Sequence, residues 1–573
     1  MKAPLSPISI CVSADAPEQA VYAAQELRHY LGLMTGQRFE IKDTAASPAI
    51  SVVRDDELGE DSFSLRGDGN HLEIRGGIRG VIYGAYSLLE RLGCRFFTAT
   101  CELVPTVEKL ELPVLSVTES PAFEYREHNY YEPVRYSRFA VKCRLNGSHH
   151  QIREKHGGCK SYAWFVHSFQ QMVDPDVYGA EHPEYFAMFD GKRCTERDVN
   201  QLCLTNPDVL KIATESVRNA LLNNPTANII SISQNDWGRG CECPACRASD
   251  LAAGSPSGTL LRFVNAIAEK LEPEFPNVIF DTLAYNYTRP IPTSIRPRKN
   301  VCVRLCSIEA CFSHSFETCD DDRSVKLPDG SRTDFITDLR NWGKVCDRVY
   351  IWDYTTCFAH YPAPHPNWHV LSANMRSFAQ NNVKGVFEQA NGASFGGTDF
   401  NELRAYVISK LLWDPYTDVD LHIREFTDCF YGAAAPFVRE YIEYICRVAE
   451  EENIHVGFND NTDTPLFRPE VLDKLQSFID LAKKAVSGDP LRLWRIGKAE
   501  LSVRWVRLKN RTMLQGEVDK DEMNSFFSDW RAYGLTRIDE WCSQETTFRA
   551  MLNGLWRGTE FYPHWNGDGP EEL

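Results

Sequence analysis

Between residues 123 and 391 the chain keeps returning to one unit, a strand-like run followed by a helical interval. The runs fall at 124–128, 143–146, 201–205, 229–233, 278–285, 301–306, 349–352 and 385–387, with helix patterns such as 258–270 and 335–344 between them. The apolar, β-branched ones, such as 229–233 and 301–306, leave little room for a polar face and predict strands buried on both sides of a parallel sheet. Eight such units in roughly 270 residues match the count and spacing of a (β/α)8 TIM-like barrel, an α/β fold class. The third unit is the least regular, because 163–188 carries strand-like pieces of its own.

On either side of this barrel, assigned to 120–415, the pattern changes. Over residues 1–115, Ala20, Val21, Ala24, Leu27 and Leu31 recur at helical spacing within 17–36, strand-like stretches flank them, and a second helix at 80–92 stops before Gly93. Alternation of this sort predicts a small N-terminal α/β domain. The proline-containing ELPVLSVTESPAF then reads as its exit linker. Beyond the barrel, 416–573 predicts a helical region with helices at 420–431, 435–450, 469–486, 491–511 and 517–533, packed on the barrel or capping it.

A net charge of −17 argues against a nucleic-acid or anionic-membrane surface, since phosphate binding needs concentrated Lys and Arg. A neutral polar ligand fits better. Aromatic residues make up 12% of the chain, many at strand ends or in loops, where a flat ring can lie against the apolar face of a sugar; core packing is the competing reading at any one position. There is no apolar stretch of about 18 residues and no signal-like run in MKAPLSPISICVS. The chain as given is therefore expected to be soluble and cytoplasmic, or secreted or periplasmic if a precursor was trimmed. The cysteines number 19, so they cannot all pair within one chain, and most are expected to be free thiols in a reducing setting.

In a barrel, chemistry gathers where the strands end. The fourth run passes directly into Gln234, Asn235, Asp236 and Trp237. The fifth supplies Tyr285 and Asn286, the sixth Glu309, the seventh Trp352, Asp353 and Tyr354, and the eighth Glu388, Gln389 and Asn391, while His167 follows the apolar AWFV. Glycoside hydrolysis requires a protonated carboxyl on the leaving oxygen and a second group that attacks or stabilises the oxocarbenium centre. Asp236, Glu388 and Glu309 are the expected catalytic carboxyls. Asn235 is expected to orient a 2-acetamido group, its alternative being a turn-forming role. Trp237, His167, Tyr285, Asn286, Trp352, Asp353, Tyr354 and Asn391 are expected to line the sugar site. Cys241, Cys243 and Cys246 form C-x-C-x-x-C, which fits a structural zinc with Cys203, Cys194 or a histidine as fourth ligand, or a redox-sensitive disulfide. No catalytic cofactor is required.

HPEYFAMFDGKR, QLCLTNPDV, SISQNDWGRGCECPAC, VYIWDYTTCFAHYPAPHPNW, GVFEQAN and YVISKLLWDPYTD occur in this order. With IRGVIYGAYSLLERLGCRFFT, which resembles the N-terminal domain of α-glucuronidases and β-hexosaminidases, they cover about residues 8–431. Through them the chain resembles a bacterial family first catalogued as a domain of unknown function and later counted as glycoside hydrolase family 163. The resemblance implies an α-glucuronidase-type N-terminal domain, a barrel, and endo-β-N-acetylglucosaminidase action on complex N-glycans. The expected activity is hydrolysis of β-linked N-acetylhexosaminides with retention, in a substrate-assisted manner. Its rivals are an α-glucuronidase-like or other exo-glycosidase, for which Arg144, Arg239 or Arg304 would have to meet an anionic sugar, and a barrel that only binds glycans.

Overall fold

The computed structural model describes residues 4–44, 47–392, 397–516 and 518–552. Its N-terminal domain runs β1 (Ser9–Cys11), α1 (Glu18–Thr35), β2 (Ile41–Lys42), β3 (Ala49–Arg54), β4 (Phe63–Asp68), β5 (His71–Gly76), α2 (Gly80–Arg91) and β6 (Val114–Glu119). The sheet order is β2-β1-β3-β5-β4-β6, parallel except where β4 pairs with β5 and β6. Helix α1 buries Ala20, Ala24, Leu27 and Leu31, as their spacing predicts, and it ends at Gly36, whose φ of 66° suits a residue without a Cβ. Burial of each leucine contributes roughly 1.5–3 kcal/mol.

Linker residue Phe123 leads into a parallel sheet formed by β7 (Tyr125–His128), β8 (Ile229–Ser231), β9 (Ile279–Ala284), β10 (Val301–Cys306), β11 (Val349–Tyr354) and β12 (Val383–Gln389). The order is β8-β9-β10-β11-β12-β7, so the sheet curls until its first strand lies beside its last. Between β7 and β8 the ring is completed by extended backbone instead of regular strands. Asn146 N–H donates to the Arg126 carbonyl (3.1 Å), Lys160 N–H to that of Asn146 (2.8 Å), and Ala163 N–H to that of Ile229 (2.8 Å). The third position is thus held by residues around 161–164, and 201–205, expected there, lies elsewhere. Leu202 bridges antiparallel to Phe186, and Gln201 buries its amide under the loop after β8. A short segment with a buried amide in it satisfies its neighbour's backbone better than it extends a ladder.

Many of the helices around the barrel and beyond it start at a proline or an Asx cap. They include α3 (Pro207–Asn223), α4 (Pro244–Ala253), α5 (Pro256–Leu271), α6 (Phe335–Val345), α7 (Leu371–Gln380) and α8 (Asn401–Trp413). The C-terminal region adds α9 (Val419–Tyr431), α10 (Ala435–Glu451), α11 (Pro469–Ala485), α12 (Pro490–Gln515), α13 (Lys520–Ala532) and α14 (Gln544–Leu552). The Asp418, Asp489 and Asp519 carboxylates accept from Leu421, Arg492 and Glu522 N–H, which stops each helix from fraying at its first turn. Among the described residues no helix is long and apolar enough to cross a membrane.

Buried ion pairs dock the N-terminal domain. Asp61 accepts from Arg79 (2.6 Å) and meets Arg126 of β7 (3.2 Å), while Glu90 meets Arg144 and Lys410, each at 2.5 Å. Arg126 is wholly buried, so it needs this carboxylate from the other domain to offset its desolvation.

Candidate active site

Successive side chains of a strand point to opposite faces, so parity decides which residues enter the barrel. Tyr125, Ile229, Cys302, Tyr350 and Phe387 pack together inside it, with Tyr162, Phe165 and Trp352 against them. Val301, Val349, Ile351 and Val386 belong to the core beneath the outer helices. Inside, Arg304 donates to Asp281 (2.7 Å) and lies 4.6–5.1 Å from the Tyr162, Phe165 and Trp352 ring centres, giving the barrel a charged but neutralised centre. Glu127 accepts from the backbone N–H of His149 (2.6 Å) and faces its Nδ1 (2.7 Å). Burial alone would raise the Glu127 carboxyl, yet charged His149 beside it holds it down at about 2.

At the end of β8 the chain turns so that Asp236 is exposed, and its Oδ1 accepts from the Tyr285 hydroxyl (2.9 Å). Burial, and then the Asp236 charge, pushes the Tyr285 phenol up, so it stays a donor. His167 donates Nδ1–H to the Gln234 carbonyl (2.7 Å), which leaves Nε2 as the acceptor. Burial lowers its pKa, favouring the neutral ring. Its centre lies 6.2 Å from that of Tyr285. Glu309 is half-buried and meets Arg289 (3.1 Å). Trp237, 37% exposed, stands at the rim with half-buried Asn286. Half-buried Trp352 donates Nε1–H to Gln389 Oε1 (2.8 Å).

Five expectations are corrected by this placement. The Asn235 amide donates to the Asn200 carbonyl and Oδ1, each at 3.0 Å, and its Oδ1 accepts from Gln170 N–H (3.3 Å). It holds the turn that presents Asp236, helped by Gln201, and has no amide group left to orient a substrate. Glu388 and Asp353 are in register on adjacent strands but have the parity of Val386 and Ile351, so they face the outer helices, beside Phe316, Leu371 and Met375. Both are almost fully buried. Tyr354 is also buried, stacked on Phe312 at 6.0 Å beneath the loops that cover the mouth. Asn391 is 2% exposed, too covered to line an open sugar site.

The Asp353 and Glu388 pair carries a pH signature. Burial raises Asp353 to about 6, and burial together with Asp353 raises Glu388 well above its ordinary value. A carboxyl with a raised folded-state pKa contributes stability that is complete below the unfolded value of about 4 and is lost as pH rises through the folded one. Glu388→Gln keeps that position neutral. Its unfolding temperature is therefore expected to exceed that of the unaltered protein at pH 8, with the gap closing by pH 4. Thermal denaturation followed by circular dichroism across this range would refute the pairing if the gap did not change.

One mouth residue has no signal in the barrel sequence. Glu540, from the segment between α13 and α14, accepts from Gln389 Nε2 (3.3 Å) and from the Tyr361 hydroxyl, and burial raises its pKa. The C-terminal region thus covers the mouth and adds a carboxyl to it.

Behind the β8 turn, Cys241, Cys243 and Cys246 are joined by Cys203, all four sulfurs lying within 4.8 Å of one another. Cys203 Sγ is 3.7 Å from Cys243 Sγ and 3.9 Å from Cys246 Sγ. Two thiolates bound at about 2.3 Å to one tetrahedral zinc would be about 3.8 Å apart, so the group could hold such an ion. Cys194 lies outside it and donates to the Val199 carbonyl.

This architecture has relatives among solved structures. The family GH115 4-O-methyl-α-glucuronidase BtGH115A, with specificity for decorated arabinogalactans, is 12% identical over 96% of this chain and 78% of its own, with a TM-score of 0.55. A GH138 enzyme targeting pectin rhamnogalacturonan II aligns at 12% identity over 92% of this chain and 91% of its own (TM-score 0.46). A mutant Streptomyces plicatus β-hexosaminidase in complex with the product GlcNAc aligns at 11% over 73% and 89% (TM-score 0.41). No curated protein matches the chain. The model of the family described as Domain of unknown function (DUF4838) matches residues 96–443, more than half of the chain, and the chain belongs to that family.

Proposed function

We propose that this protein is a glycoside hydrolase acting on β-linked N-acetylhexosaminides in complex glycans, with retention and in the endo manner suggested by its resemblance to glycoside hydrolase family 163. The observation that carries the proposal is the exposed Asp236 carboxyl at the end of a barrel strand, bonded to the hydroxyl of half-buried Tyr285 and near a half-buried histidine. Asp236 acts as general acid on the leaving oxygen and then as base toward water. Tyr285 holds its carboxyl by donating its one proton to it, and with Asn235 committed to the turn, the phenol oxygen remains as an acceptor for the N–H of a 2-acetamido group. Glu309, anchored by Arg289, supplies the second carboxylate near the oxocarbenium centre. Trp352 and Trp237 give the sugar rings apolar faces.

The rival substrate is a uronide, as the name of the GH115 enzyme suggests. A sugar carboxylate calls for an uncommitted cation, and the three arginines expected near the mouth are all paired. Arg144 meets Glu90, Arg239 meets Asp190 and Glu242, and Arg304 meets Asp281. This supports a neutral sugar. The cysteine group at 203, 241, 243 and 246 is assigned a structural zinc that braces the loop after β8, with no part in the chemistry.

Incubation of the purified chain with β-N-acetylglucosaminides, uronides and released N-glycans, followed by mass detection, tests both readings. Truncated N-glycans that lack part of their chitobiose core are the expected products. Release of uronic acid alone would replace the substrate class, and binding without any cleavage would leave a glycan-binding barrel.

A further inference from the structure

We propose that Cys311, His314, Cys319 and His455 form a second structural zinc site, one that staples the loop after β10 to the helical region covering the barrel. This cluster lies apart from the three-cysteine sequence motif, and its fourth member comes from the segment after α10, 136 residues beyond Cys319. One donor atom from each of the four lies within 4.8 Å of the others. Cys311 Sγ is 3.4 Å from His314 Nδ1 and 3.4 Å from His455 Nδ1, and Cys319 Sγ is 3.7 Å from His455 Nδ1. A sulfur at about 2.3 Å and an imidazole nitrogen at about 2.0–2.1 Å from a tetrahedral zinc would be about 3.6 Å apart, so these separations suit one shared ion.

Two imidazole nitrogens and the Cys319 side chain converge on the Cys311 sulfur, as they would around one shared ion. The other nitrogen of His455 is 3.2 Å from Asp320 Oδ1. A carboxylate there accepts Nε2–H and fixes the tautomer that leaves Nδ1 free for a metal, the outer-sphere arrangement expected of a ligating histidine. Two thiolates and two imidazoles are a donor set suited to zinc, and four protein donors leave no position for substrate or water, so the role is structural.

The backbone already joins the same two segments. Phe312 N–H donates to the Val456 carbonyl (2.8 Å), Ser313 Oγ to that of Ile454 (2.6 Å), and Val456 N–H to Ser313 Oγ (3.1 Å). Two residues before Cys311 stands Glu309. Three after His455 stands Phe458, stacked on Phe358 at 4.3 Å and edge-on to Tyr354 at 5.2 Å. The ion would therefore hold the cover in place over the mouth, whatever sugar is cleaved there.

Crystals of the full chain purified in the presence of zinc, measured on both sides of the zinc absorption edge, provide the test. An anomalous peak among these four side chains is expected, and in solution Cys319→Ser and His455→Ala are each expected to lose one equivalent of zinc per chain relative to the unaltered protein. The diffraction measurement needs no variant to fold. A peak absent from this position, a disulfide between Cys311 and Cys319, or folded variants with unchanged zinc content would overturn the proposal.

Discussion

Asp236→Asn is expected to lower kcat on a β-N-acetylglucosaminide by about three orders of magnitude, within the usual range for general acid–base catalysis, with KM changed only a few-fold. At about 1.4 kcal/mol per tenfold this is about 4 kcal/mol of transition-state stabilisation. The amide preserves the shape of the carboxyl and can still bond to Tyr285, but has no proton to give to the leaving oxygen. The loss should therefore be smaller for an activated nitrophenyl glycoside, whose leaving phenolate needs little protonation, than for a glycan. Steady-state kinetics on both substrates would reveal this difference. Equal losses on the two would remove Asp236 from the role of acid, and an active variant would remove it from the site.

Asp281→Ala is expected to destabilise the barrel by about 3–5 kcal/mol, because it leaves a buried guanidinium without its counter-charge. Arg304 is 1% exposed and Asp281 0%, and the rings around the guanidinium offer faces without a negative charge. The pair replaced together, Asp281→Leu with Arg304→Met, is expected to cost much less than the single change, since no charge then remains to be desolvated. Urea denaturation followed by tryptophan fluorescence gives both values. Equal costs for the single and double variants would show that shape, not charge, governs this position.

Much of the scaffold was legible because local rules agreed with the tertiary outcome. The apolar runs at 229–233, 278–285 and 301–306 became β8, β9 and β10, and the helix at 17–36 ended at the glycine that closes α1. Helices beyond residue 416 began near the aspartates and prolines that cap them. The site was less legible. Val349, Ile351 and Val386 alternate with Tyr350, Trp352 and Phe387, so both faces of β11 and β12 are apolar. Hydrophobicity could not tell inside from outside, and Glu388 and Asp353 were expected in the mouth when parity with Val386 and Ile351 turns them outward. The strand-pairing register settles what composition leaves open.

From the amino-acid order alone came the apolar barrel strands and the helices on either side of them, since these depend on periodicity and capping within about 20 residues of chain. Only the folded chain decided that Asn235 braces a turn, that Glu540 reaches the mouth, that Cys203 completes one four-donor group and that His455 completes another. Each of these rests on a contact between segments far apart in the chain. Such contacts follow from how the layers pack, which no local pattern of residues encodes.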